Sequence, residues 1–231
     1  MSGVLKPRME ILPPAQQRLW LELRPAAAFG FALYGGTAIA LRLGHRASVD
    51  FDFFSEKPLD RDAIQASFPF VGLSTVLQDQ PNTLSLLVPS GVSEDEHVKV
   101  SFFGTIRFGR VGEPDVTEDG VLHVAALDDL MATKTKVILQ RVEAKDYRDV
   151  AAMLDAGTSL AKGLAAAREL FGSSFQPSES LKAMVYFEGG DLNTLTQKEK
   201  NSIVRAVSAV RDLPRVSIVS RQLTADSVRK H

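Results

Sequence analysis

The sequence predicts a mixed α/β (α+β) protein, with an N-terminal mixed sheet and flanking helices followed by a C-terminal helical bundle. Two observations carry this. Up to about residue 126, short apolar or alternating runs are bounded by Gly, Pro and Asn, the mark of strands. From Leu127 onward the apolar residues recur at helical spacing, and Gly157, Gly172 and Gly189-Gly190 fall where helices would stop. The chain has 231 residues, 45% of them apolar, enough for one large core or two smaller ones.

The elements follow in order. PAQQRLWLELR (14–24) reads as an amphipathic helix, FALY (31–34) as a buried strand and Thr37–Leu43 as a helix. Val49–Phe54 alternates as a strand, and residues near 60–67 form a short helix. VGLSTVL (71–77), TLSLLV (83–88) and HVKVSFF (97–103) are strand candidates. Pro81-Asn82 suits the turn between the first two, and SGVSEDEH (90–97) an exposed acidic turn before the third. GVLHVAA (120–126) is a further short strand. Helices are predicted over about 127–141, 146–155, 159–171, 178–187 and 197–210. The implied domains are 1–126 (α/β), 127–213 (helical) and a polar, loosely held tail over 214–231.

Composition removes several classes of function. There is no cysteine, which excludes disulfides and thiolate metal sites. A net charge of -1 gives no global field for nucleic acid, so any such contact needs a local patch. The N-terminus lacks the basic-then-apolar order of a signal peptide. PAAAFGFALYGGTAIAL (25–41) has no charge, but its 17 residues are at the short limit for a span, and Pro25, Gly30 and Gly35-Gly36 break it. A soluble cytoplasmic protein without a membrane contact is the expectation.

Chemistry concentrates in GGTAIALRLGHRASVDFDFFS (35–55). Side chains alternate along a strand, so Asp50 and Asp52 share one face and Phe51 and Phe53 the other. The phenylalanines suit a core. The two carboxylates repel one another, and a divalent cation removes that repulsion. Mg²⁺ suits them because it accepts carboxylate, water and phosphate oxygens. Gly35-Gly36 stands between a strand and a helix, where free first-turn N–H groups and the helix dipole favour phosphate, and Thr37 adds a hydroxyl. A glycine pair alone reads as a turn, and a DxD alone as a solvated loop. Their combination on an apolar strand, where charge is disfavoured, favours a site for a nucleoside triphosphate (NTP) with Mg²⁺.

These residues resemble a known family. Gly-Gly-Thr-Ala, a helix, then Leu-Gly-His-Arg-x-Ser-x-Asp-Phe-Asp-Phe-Phe is similar to the AbiEii-type nucleotidyltransferases. These belong to the polymerase-β-like superfamily and include toxins of bacterial toxin–antitoxin and phage-abortive-infection systems. The likeness continues in DLMATKTKVILQRVEAKDYRDVAAML and LKAMVYFEGGDL, covering roughly residues 30 to 195. It implies a nucleotidyltransferase-like first domain, with the helical domain contributing to the active site. Gly35, Gly36 and Thr37 match the family's phosphate-binding turn, Asp50 and Asp52 its metal pair, Lys134 its phosphate-contacting lysine, and Asp146 the carboxylate of the later motif. The implied activity is Mg²⁺-dependent transfer of a nucleotidyl group from an NTP, for some members to the 3′ end of a tRNA. A cognate antitoxin is the implied partner.

Helical periodicity bears on the later residues. At about 100° per residue, Lys134 falls within the stripe of Leu127, Leu130, Met131, Val137 and Ile138, and Lys136 on the opposite side. An inward lysine needs an anionic partner, either phosphate or a structural carboxylate. Asp146 lies on the apolar side set by Val150, Met153 and Leu154, and Asp149 at its edge; either could instead neutralise Lys134, Arg141 or Arg46.

Superfamily members commonly carry a third strand carboxylate. On HVKVSFF, Lys99 and Ser101 share a face, and Ser101 stands where that aspartate is expected, which leaves the general base unassigned. Arg42 and Arg46 suit triphosphate, RNA or the helix C-terminus equally well. His45 has no partner at zinc-ligand spacing. Two other functions remain open: a small-molecule, antibiotic-type nucleotidyltransferase, and a non-catalytic NTP-binding regulator.

Overall fold

The computed structural model describes residues 3–91 and 96–225. Val92–Asp95 of the expected acidic turn, and 226–231 of the expected tail, lie outside them. The described residues fall into two compact units: one of residues 3–91, 96–109, 113–125 and 220–225, the other of Arg110–Gly112 and Ala126–Val219.

In the first unit the elements are β1 (Val4–Leu5), α1 (Pro14–Leu19), α2 (Pro25–Ala28), β2 (Ala32–Tyr34), α3 (Gly35–Leu43), β3 (Asp50–Phe54) and α4 (Arg61–Ser67), then β4 (Thr75–Gln80), β5 (Thr83–Pro89), β6 (His97–Phe103), β7 (Asp115–Thr117) and β8 (His123–Val124). The strands form one mixed sheet in the order β1-β7-β8-β2-β3-β6-β5-β4. β3 runs antiparallel to β2 and parallel to β6. The three strands expected at 83–88, 97–103 and 49–54 form almost as read. The expected strand at 71–77 starts later: Pro69–Leu73 is a 3-10 turn, because Pro69 sets a helical φ and removes a ladder donor. β1, α2 and β7 have too few residues to show a period in the sequence.

One sheet face is the core. Phe51, Phe53, Val100 and Phe102 are buried there. Trp20 meets Phe51 and Phe68 meets Phe102. Burying each such phenylalanine contributes about 2 to 3 kcal/mol. The other face carries Tyr34, Asp50, Asp52, Phe54, Lys99 and Ser101, since register partners and alternate residues share a side. The edge strand β4 is exposed along its length and holds a register shift between Val76 and Gln78. At the other end of the unit's chain, Leu223 is buried, and its N–H donates to Glu56.

The second unit is helical: α5 (Leu127–Val137), α6 (Ala144–Asp155), α7 (Leu160–Phe171), α8 (Pro177–Val185) and α9 (Gln197–Ala209). α5 packs on α6 and α7, and α8 and α9 pack together. α5 and α7 approach closely at Gly163, where a Cβ would fall 2.2 Å from Met131 Cγ. The N-termini are capped by Ser159 on α7 and by a Thr196–Glu199 capping box on α9. No helix among the described residues is long and apolar enough to cross a membrane.

Candidate active site

The glycine turn and the carboxylate strand meet in the first unit. Tyr34 is the register partner of Asp52 on β2–β3, so the turn that follows Tyr34 starts beside Asp52. Gly35 has φ +73°, and a Cβ there would lie 2.7 Å from Asp52 Oδ2. Glycine is therefore required twice, once for the backbone and once for room for the carboxylate. α3 then begins with no side chain capping its N-terminus, so its first-turn N–H groups depend on other partners. Gly44, at φ +67°, closes the helix and donates its N–H to Ala40 O at 2.7 Å.

Asp50 and Asp52 are half-buried, whereas Phe51 and Phe53 between and beyond them have no exposure. The Asp50 carboxylate has no hydrogen-bond or ion-pair partner among the described residues. Its backbone is fixed instead. Thr37 is buried, and its hydroxyl donates to the Asp50 carbonyl and lies 2.7 Å from Ser48 Oγ. Gln16 Nε2 donates to Ser48 O at 3.0 Å. This network pins the loop between α3 and β3.

On β6, Lys99 pairs in register with Asp50, and Ser101 with Asp52. Ser101 is fully buried and accepts a hydrogen bond of 3.1 Å from Ser85 Oγ. No group of three or more His, Cys, Asp or Glu residues suited to a metal occurs among the described residues. The two β3 carboxylates fit Mg²⁺ in a different way. Both are half-buried on one face, the Asp50 carboxylate without a partner among the described residues, and the remaining ligands would be oxygens of water and phosphate.

In the helical unit, Lys134 Nζ bonds Asp146 Oδ1 and Asp149 Oδ2, both at 2.6 Å. Arg141 clasps Asp146 from its open side, through Nε to Oδ2 at 2.8 Å and Nη2 to Oδ1 at 3.0 Å. Asp146 and Asp149 have no exposure. Burial would raise the Asp146 pKa, but the Arg141 hydrogen bonds and the Lys134 charge outweigh it and hold the carboxyl below its usual range. Lys136, on the other side of α5 as its position predicts, sits 4.1 Å over the Phe171 ring.

The glycine turn, the paired aspartates and the Lys134–Asp146 helices all lie within a stretch that matches one family of known proteins. The family model for the nucleotidyl transferase AbiEii toxin of type IV toxin–antitoxin systems matches residues 23–217. The chain belongs to the AbiEii family. It is also similar to the uncharacterized protein aq_aa25 of Aquifex aeolicus (strain VF5), at 34% identity over 122 residues. That match covers 52% of this chain and 55% of the relative, so the chain spans about half the length of the curated relative it matches. Membership is thus in a family described as nucleotidyl transferase toxins of type IV toxin–antitoxin systems.

Of the residues singled out in the sequence, the AbiEii chain brings Gly35, Asp50, Asp52, Thr37 and Ser101 together on and beside β3. It gathers Lys134, Asp146, Asp149 and Arg141 into one cluster on α5, α6 and the connection between them. Arg42, considered for triphosphate, is instead engaged by Asp115 at 2.6 Å and by the carbonyls of Val124 and Ala125. Arg46 donates to its neighbour Ala47 O on an exposed loop. Sequence reasoning missed Gln16 and Ser48, whose roles depend on contacts 32 and 11 positions away. It also missed Asp129, which accepts from the Val111 and Gly112 N–H groups at 2.8 and 2.9 Å. Burial lifts the Asp129 pKa to about 6, because those two bonds offset only part of the desolvation.

Proposed function

We propose that the AbiEii chain is a Mg²⁺-dependent nucleotidyltransferase that moves an NMP group from an NTP to RNA, with the 3′ end of a tRNA as acceptor. The observation that carries this reading is the approach of the Asp52 carboxylate to Gly35, beside an uncapped helix N-terminus. Anion-binding N–H groups and cation-binding carboxylates then adjoin, which suits a phosphate chain carrying a metal.

Asp50 and Asp52 would hold Mg²⁺, which when bound offsets phosphate charge and activates the attacking oxygen. The Gly35-Gly36 turn binds phosphate oxygens through its backbone. Thr37, with its hydroxyl turned to the Asp50 carbonyl, keeps the metal strand in register with the phosphate turn. Lys134 and Asp146, with Asp149 and Arg141, form a cluster of two positive and two negative charges that locks α5 to α6. In this reading the cluster preserves the shape of the helical unit.

One observation favours a second reading. Ser101, the neighbour of Asp52, is a buried hydroxyl bonded to Ser85 and is a poor base at neutral pH. A chain that binds Mg²⁺–NTP without turnover would tolerate it. One experiment separates the two. Pure protein is incubated with Mg²⁺, each labelled NTP in turn and total tRNA. Label on RNA from one NTP, lost with EDTA, supports transfer. Calorimetric binding of Mg²⁺–NTP with no label on RNA supports the regulator, and neither signal refutes both.

A further inference from the structure

We propose that Lys99 is the cation that binds the phosphates of the nucleotide on the face of β3 that carries Asp50 and Asp52. This inference rests on the nucleotidyltransferase reading and assigns a binding residue to that site.

Three observations converge on it. Lys99 is the register partner of Asp50, so its side chain leaves the sheet on the same face as Asp50 and Asp52. Its neighbours Val98 and Val100 are buried on the opposite face. Residues directly paired across strands have Cβ atoms about 5 Å apart, close enough for a lysine to reach an aspartate. Yet the Lys99 ammonium makes no hydrogen bond or ion pair among the described residues, and neither does the Asp50 carboxylate. By contrast, Lys134 is held by two aspartates, and Arg42 by an aspartate and two carbonyls.

An unbridged Lys–Asp pair on one face presents a site for an anion beside a site for a cation. A ligand that satisfies both is a polyphosphate bearing a divalent metal. Lys99 is also half-buried, so its ammonium is less screened than one on a flexible surface stem. Its three N–H donors can follow phosphate oxygens as charge-assisted hydrogen bonds. Asp50 and Asp52 are then left to the metal, and Lys99 offsets the negative charge that the metal leaves uncompensated.

The test uses the full chain and a base-free probe, Mg²⁺ with inorganic tripolyphosphate, followed by calorimetry. Lys99→Met is expected to weaken binding about 10- to 100-fold, the worth of a charged hydrogen bond. Lys99→Arg should retain affinity within about threefold, as a guanidinium also suits phosphate. With the NTP that the wild type transfers, Lys99→Met should raise KM in the same proportion while kcat changes less. A loss of packing alone would not give that division. Thermal melts check folding, and Lys99→Gln, with a polar stem, repeats the comparison should the methionine variant melt early. Wild-type affinity in a folded Lys99→Met or Lys99→Gln protein overturns the assignment of Lys99 and leaves the nucleotidyltransferase reading intact. Absence of binding by the wild type, to tripolyphosphate and to all four Mg²⁺–NTPs, overturns both.

Discussion

Two pairs of aspartates in this chain stand in opposite physical states. Asp50 and Asp52 are two apart on a strand, half-buried and on one face, and the Asp50 carboxylate has no ion-pair partner among the described residues. Asp146 and Asp149 are three apart on a helix, wholly buried and joined through one lysine, with Arg141 added to Asp146. The difference teaches how to tell a working carboxylate from a holding one. A carboxylate kept for a ligand, as Asp50 is in this reading, is left short of partners, and one kept for the fold, as Asp146 is, is saturated. Both pairs lie within the stretch that the family model matches, residues 23–217, so membership alone does not distinguish them.

The largest expected effect lies on the first pair. Asp50→Asn or Asp52→Asn should lower nucleotidyl transfer by about a thousandfold or more, since the metal loses a charged ligand. The melting temperature should stay within a few degrees. A variant that unfolds instead would place this pair with the structural one.

The second pair should behave in reverse. Lys134→Met leaves two buried carboxylates without their shared cation and should cost about 3 to 5 kcal/mol in urea unfolding. An unchanged urea midpoint with lost transfer would return Lys134 to the chemistry. Acid sharpens the same contrast. The Asp146 pKa is depressed in the folded state, so its stabilisation is present above the ordinary carboxylate pKa and fades as pH falls through the folded value.

Asp129 has the opposite sign. Its pKa rises from 3.8 to about 6, so between those values the folded state binds more protons than the unfolded state. Stability from this group therefore falls as pH rises through that window, by roughly 3 kcal/mol in all. The groups around it are Arg110 and Asp128, the latter bridged to Lys162 at 2.6 Å. Asp129→Asn should flatten the slope between pH 4 and about 6 in unfolding titrations. A slope that persists would assign it to another group.

The smallest effect is expected at Thr37. Thr37→Val removes the donor to the Asp50 carbonyl and should cost about 1 to 2 kcal/mol. Transfer should drop far less than in Asp52→Asn, because the carboxylates remain. A loss as large as that of Asp52→Asn would make the hydroxyl a direct ligand.

Much of this was legible in the sequence. The alternation Asp50-Phe51-Asp52-Phe53 set both faces of β3, and the helical phase of Lys134 set it inward, because period alone decides such questions. What escaped depends on contacts distant in sequence. Asp129 carries no signal of its role in the sequence, since nothing local announces that the N–H groups of Val111 and Gly112 converge on it. Ser48 is likewise an unremarkable loop serine until α3 brings Thr37 against it. Whether Lys134 meets phosphate or aspartate was undecidable from phase, because both partners satisfy an inward ammonium.

The register shift in β4 has a consequence for how the molecule keeps to itself. An outermost strand with every residue exposed is a template on which a second chain can zip its own backbone. The kink at Val76–Gln78 interrupts the rhythm of unpaired donors and acceptors that such zipping requires. Excising Leu77 would straighten the border and make it adhesive, and turbidity on concentration would report the change. A single surplus residue thus guards solubility at the rim of the sheet.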